Sequence, residues 1–211
     1  MPSGGATVWL TGLPSSGKST LARAVEERLR AAGRRVEVLD GDEIRTFLSA
    51  GLGFSREDRN TNVQRIGLVA EVLARNGVVA VVPVIAPYAD SREAVRARHA
   101  KSGTRYLEVH VATPVEVCAV RDVKGLYAQQ AAGEISGLTG VDDPYEAPES
   151  PDLRIAAHRR TVAESTQDVL DLLGGPYDGP HDGQPAGPLD ELRDGPERHG
   201  VPVPHDGEDP A

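Results

Sequence analysis

The stretch Trp9-Leu-Thr-Gly-Leu-Pro-Ser-Ser-Gly-Lys-Ser-Thr20 decides how the chain is read. An apolar run enters a Gly-rich turn that ends in Gly-Lys-Ser. The pattern G-x-x-x-x-G-K-[ST] is met by Gly12, Leu13, Pro14, Ser15, Ser16, Gly17, Lys18 and Ser19, with Thr20 following. Glycines let backbone N–H groups close around phosphate oxygens, and a helix opening at Lys18 adds its positive dipole end. Lys18 is placed to reach the β- and γ-phosphates, and Ser19 to ligate Mg²⁺. The reading is therefore a binding site for ATP or GTP. The chain has only three lysines, Lys18, Lys101 and Lys124, so a lysine inside a motif is less often incidental here.

Working outward, Thr7 to Leu10 reads as a buried strand, and residues 18 to 32 as a helix with Leu21, Val25, Leu29 and Ala32 on one face. Val36 to Leu39 is a second strand, and 56 to 75 a long helix. Val78 to Ile85 is nearly continuous apolar sequence, as a central parallel strand requires. Helices follow at 91–100, 114–121 and 161–173, with strands at 107–111 and 153–156. Strands alternating with helices predict an α/β, P-loop nucleoside-triphosphate-hydrolase-like three-layer fold, a parallel central sheet flanked by helices. Residues 122–151 are polar and punctuated by Gly and Pro, and are expected to form a lid.

Length and composition bound the rest. The 211 residues allow one such domain, expected over 1–173. The remaining 174–211 hold nine acids against two arginines, so −7 of the net −9 lies there, with eight of the 16 prolines and eight of the 23 glycines. That segment is expected to be a disordered acidic tail. His181, His199 and His205 fall in it at spacings that match no metal site. No apolar run reaches the ~20 residues of a membrane span. The N-terminus has no signal-peptide pattern, and the lone Cys118 suits a reducing compartment, so a cytoplasmic protein is expected. An acidic chain without a basic stripe is not expected to bind nucleic acid.

Two nucleotide-binding classes are excluded by missing parts. No lysine is followed two residues later by Asp, so the N-K-x-D base-reading motif of a GTPase is absent. A motor ATPase would end its central strand on an acid, whereas this one runs V-V-P-V-I-A-P. The acids instead follow the second strand, in Asp40-Gly-Asp42-Glu-Ile-Arg45. A carboxylate there can order Mg²⁺ or take a proton from a hydroxyl, which suits a small-molecule kinase.

The order of motifs then resembles the adenylyl-sulfate kinase family. The matching segments are G-L-P-S-S-G-K-S-T, D-G-D-E-I-R, G-F-S-R-E-D-R-N-T-N-V-Q-R-I-G, I-A-P-Y, R-D-V-K-G-L-Y and G-L-T-G-V-D-D-P-Y-E-A-P, from about residue 5 to 173. The resemblance implies transfer of the ATP γ-phosphoryl to the 3′-hydroxyl of adenosine 5′-phosphosulfate (APS), with Mg²⁺. It implies catalytic roles for Lys18, Asp42 and Asp40, metal ligation by Ser19 and Asp42, and nucleotide contact by Arg121. It also implies APS contacts by Asp42, Arg45, Phe54, Arg59, Asn62, Ile85, Ala86, Lys124 and Leu138. Arginines give bidentate anion contacts, and Phe54 offers an apolar face to adenine.

Two positions depart from the family. Ala86 stands where I-S-P-Y usually has Ser, which excludes any phosphoenzyme through that hydroxyl. Leu138 stands where G-F-T-G usually has Phe, which predicts weaker APS stacking and partial recovery in Leu138→Phe. A kinase drifted to another acceptor and a non-catalytic nucleotide-binding module are the alternatives. The family often dimerises, and with no room for a sulfurylase domain in this chain APS is expected from a separate ATP sulfurylase.

Overall fold

The computed structural model describes residues 4–174; the tail expectation and its three histidines lie outside the described residues. Five parallel strands form one sheet in the order β2-β3-β1-β4-β5. They are β1 (Ala6–Thr11), β2 (Val36–Val38), β3 (Val79–Pro83), β4 (Arg105–Val111) and β5 (Leu153–Ile155). Central β1 pairs with β3 through Val8 and Val81 and with β4 through Val8 and Leu107.

Strand alternation sends the two faces of the sheet into two cores. Val8, Leu10, Val79, Val81 and Val109 face α1 (Lys18–Ala31) and α7 (Val162–Leu173), where they meet Leu21, Val25, Leu29, Val169 and Leu170. Trp9, Ala80 and Val82 face the other way, toward α3 (Arg56–Arg75) and α4 (Ala89–Ser102), against Val63, Ile66, Ala70 and Val95. This is the three-layer architecture expected from the sequence. Among the described residues, no helix is long and apolar enough to cross a membrane.

Three short helices complete the framework: α2 (Gly41–Phe47), α5 (Val115–Arg121) and α6 (Leu126–Ala131). The sequence reading has neither α2 nor α6. No residue of α2 is buried, so it carries no apolar stripe to read. Its one signal is Asp40, which caps it by accepting from the Asp42 N–H at 3.0 Å. Similarly, α6 starts after Gly125 in the left-handed region and buries only Tyr127.

The helices α3 and α4 pack closely on one face of the sheet. A Cβ on Gly67 would stand 2.6 Å from Val95 Cγ2 and 2.9 Å from Cγ1. The helices meet at that glycine because nothing larger fits. Gly67→Ala gains about 1 kcal/mol of helix propensity but overpacks the contact by roughly 1–3 kcal/mol. We therefore expect a net loss on the order of 1 kcal/mol in urea denaturation, with less-than-additive loss when Val95→Ala is combined with it. A stabilised single variant would contradict this packing.

Candidate functional site

The phosphate cradle sits where β1 ends. Gly12 has φ 155° and its missing Cβ would lie 2.6 Å from the Val111 carbonyl oxygen, so β4 itself requires glycine there. Gly17, at φ 107°, precedes the first residue of α1. The loop is held from behind. Thr113 Oγ1 donates to Ser16 O at 2.8 Å, Tyr127 hydroxyl to Pro14 O at 3.1 Å, and the Val123 N–H to Ser15 Oγ at 3.2 Å. Arg121 reaches Ser16 O at 3.5 Å, which places it at the mouth of the loop.

Lys18 is folded into this cradle. Its ammonium donates to Gly12 O at 2.9 Å, Leu13 O at 2.6 Å and Ser16 Oγ at 3.3 Å. Burial disfavours its charge and lowers its pKa to about 8. Ser19 and Thr20 begin α1 on the exposed side. Ser19 Oγ lies 3.4 Å from Asp40 Oδ2. Among the two acids, the serine contact therefore goes to Asp40, whose carboxylate is fixed by capping α2. Asp42 turns the other way and forms an ion pair with Lys124 from the segment after α5. Asp42, which the sequence reading expected on the metal, is the second residue of α2, and its carboxylate pairs with Lys124 here.

The acceptor half is built by the start of α3 and the turn after β3. Ser55 caps α3 by accepting from Asp58 N at 3.1 Å. Phe54, just before it, is 66% exposed. Its ring is covered by two guanidiniums, Arg45 at 4.6 Å and Arg59 at 5.5 Å from the centroid. Arg45 also donates to Gly53 O at 3.1 Å. Arg59 is buried and committed to the protein: it donates to Phe54 O at 2.8 Å, Gly137 O at 2.6 Å and Thr139 Oγ1 at 3.0 Å. It thereby ties the Phe54 turn to the segment around Leu138. Asn62, one turn further along α3, is buried with Oδ1 lacking a partner among the described residues.

Leu138 is 6% exposed and packs with Cys118 and Tyr127, against Leu13, Val115 and Leu126. It closes a small core beside the phosphate loop. Ala86 is 3% exposed, at φ 44°, inside the Trp9–Val63–Val95 core. Ile85 precedes it, and its carbonyl accepts from Thr11 Oγ1 at 2.6 Å.

The expected lid divides into two parts. Residues 143–146 are strapped to the frame. Tyr145 hydroxyl bonds Thr11 Oγ1 at 3.0 Å, the Glu146 N–H donates to Pro87 O at 2.8 Å, and Glu146 Oε2 accepts from Ala89 N at 2.7 Å. Asp143 accepts from Tyr88 hydroxyl at 3.3 Å and lies 3.8 Å from Arg59 Nε. Residues 122–136 carry α6 and have fewer ties to the sheet. Thr11, Arg92, Tyr145 and Glu146 were given no role by sequence reasoning. Y-E-A-P lay inside a matched motif, but its contacts are all distant in sequence. A groove of about 630 Å³ lined by His110, Thr113, Tyr145 and Arg154 lies beside this strap. It reaches the phosphate loop only at Leu13.

Comparison with known proteins agrees with this layout. A family model for adenylylsulphate kinase matches residues 4–156. An adenylyl-sulfate kinase of Picosynechococcus sp. is 49% identical over 169 residues, 80% of this chain and 93% of its own length. One of Myxococcus xanthus is 50% identical over 171 residues, covering 81% and 92%. The solved APS kinase of Mycobacterium tuberculosis, in complex with AMPPNP and APS, superposes with a TM-score of 0.79 at 46% identity, covering 82% of this chain and 99% of that one. These matches span most of this chain and nearly the full length of these relatives, and the chain belongs to the adenylyl-sulfate kinase family.

Proposed function

We propose that the protein transfers the γ-phosphoryl of ATP to the 3′-hydroxyl of APS, giving ADP and 3′-phospho-APS. The observation that carries this is the meeting of two half-sites at Thr11. The residue that leads into the phosphate loop also holds the acceptor turn, through Ile85 O. The M. tuberculosis relative with AMPPNP and APS bound supports assigning the halves to ATP and APS.

In this reading the N–H groups of Ser15 and of Gly17 to Ser19 hold the β- and γ-phosphates, and Lys18 leaves its carbonyl partners to neutralise them. Arg121 lies against the nucleotide. Arg45, Lys124 and Asn62 meet the phosphosulfate side of APS, and Phe54 its adenine. Arg59 acts chiefly as the tie between the Phe54 and Leu138 segments, and Ile85 and Ala86 offer backbone N–H groups. Asp42, released from Lys124, takes the proton of the attacking hydroxyl while the bridging oxygen of ATP leaves with ADP. The Ser19 hydroxyl and the Asp40 carboxylate are hard oxygen donors already side by side, which fits Mg²⁺. Bound there with the phosphates, that ion would supply charge neutralisation. A cytoplasmic setting, with Cys118 as a buried free thiol, goes with this reading. An ADP-release assay with ATP and Mg²⁺, with and without APS, tests the acceptor when the product mass is read. APS-dependent ADP together with 3′-phospho-APS is expected; ADP release indifferent to APS would reject the assignment.

Lys18 gives a pH signature. Its free-state pKa of about 8 lies below the ordinary lysine value, and bound phosphates favour the charged form. ATP binding therefore takes up protons as pH rises through 8, and affinity falls about tenfold between pH 7 and 9. Calorimetry in buffers of different ionisation enthalpy should show uptake in wild type and none in Lys18→Arg. An affinity flat to pH 9 would contradict the buried-lysine account.

Residue 86 gives a second. Its side chain points into a core, so a hydroxyl added there has no approach to phosphate. Ala86→Ser should keep kcat within about threefold of wild type and form no phosphoserine during turnover. A gain above tenfold, or a phosphoenzyme on that timescale, would overturn the direct route.

A further inference from the structure

We infer that Arg92 is a positioning residue for the acceptor, an assignment that rests on the function proposed above. The turn after β3 leaves the sheet with three successive carbonyls, and each is held by a different element. Ile85 O accepts from Thr11 Oγ1 at 2.6 Å, Ala86 O from Arg92 Nη1 at 2.8 Å, and Pro87 O from the Glu146 N–H at 2.8 Å. Pro87 has no N–H. The N–H groups of Ile85 and Ala86 have no protein acceptor among the described residues. Successive amides turned by a left-handed residue are a setting that binds anionic oxygen. Ala86 holds φ 44°, a strained conformation for a non-glycine residue that persists only where surroundings enforce it.

Arg92 supplies the enforcement. It is 4% exposed and uses all three nitrogens: Nε on Glu108 Oε1 at 2.8 Å, Nη1 on Ala86 O, and Nη2 on Glu146 O at 2.7 Å. One planar group thus fixes the acceptor turn, the strap and β4 in a single geometry. Its position is not favoured by its own helix, because it lies in the first turns of α4, where the dipole repels a cation. Glu108 compensates, and Arg96 and Asp152 extend the network at 3.3 and 3.0 Å. A buried ion pair is poor at adding stability compared with an apolar pair of similar volume. What arginine adds here is direction, with two carbonyls held at set angles by a rigid fork.

The test is steady-state kinetics with ATP and APS varied separately, alongside ATP binding and thermal melting, for Arg92→Met, Arg92→Lys and Glu108→Gln. The expected result is a KM for APS raised at least tenfold in Arg92→Met, with the ATP Kd within twofold of wild type. Arg92→Lys should be intermediate, since an ammonium cannot reach two carbonyls as a fork does. Glu108→Gln keeps a hydrogen-bond acceptor and should raise the KM for APS a few-fold even if Arg92→Met does not fold. An unchanged KM for APS in the folded variants would overturn the inference, as would ATP and APS affinities falling together in step with the melting temperature. Absence of wild-type turnover with APS would instead remove the acceptor assignment, and the inference with it.

Discussion

A strand that ends inside a protein must dispose of its backbone groups, and the last turn of β3 does so without a neighbouring strand. Water is excluded from much of this turn, so each carbonyl needs a partner within the protein. Thr11 brings β1 to one, Arg92 brings α4 and β4 to the next, and Glu146 brings the 143–146 strap to the third. Because Thr11 is also the residue before Gly12, the same bonds set the distance between the phosphate loop and the acceptor turn. Positioning is most of what a phosphoryl-transfer enzyme contributes, so this backbone arrangement bears directly on catalysis.

The donor half follows a different rule. Gly12 and Gly17 give the loop its shape, and Thr113, Tyr127 and Arg121 hold it from outside. Lys18 is kept desolvated with its ammonium on carbonyl and hydroxyl oxygens, and burial disfavours its charge. The acceptor turn is the rigid side of the cleft. In the proposed reaction, Lys124 on Asp42 and Lys18 in its cradle are the charges that exchange partners when nucleotides enter.

The sequence was most informative where function needs a particular residue type next to its neighbours in the chain. The glycines, Lys18 and Ser19 form such a run, and the apolar periodicity of the strands and of α1 and α7 displayed the three-layer fold. It was least informative where contacts span many residues. Nothing local marks Arg92 as the partner of Ala86 and Glu146, because an arginine in an Arg-rich helix reads as solvated surface. Nor does the spacing in Asp40-Gly-Asp42 show that one acid would cap a helix and face Ser19 while the other turns to Lys124. Leu138 and Arg59 were read as substrate contacts from their place in motifs. Arg59 is bonded to Gly137 and Thr139, and Leu138 packs with Cys118 and Tyr127, partners that only the folded chain brings near. The helix α2 stayed hidden because it buries nothing.

The central claim is that the two half-sites are held so that phosphate passes between them in one step, with no enzyme nucleophile at residue 86. The stereochemical course at phosphorus tests it most directly, using ATP made chiral at the γ-position with sulfur and oxygen isotopes and APS as acceptor. A single in-line displacement inverts configuration, and inversion is the result predicted. Retention would require two displacements and a covalent phosphoenzyme, and would contradict the account.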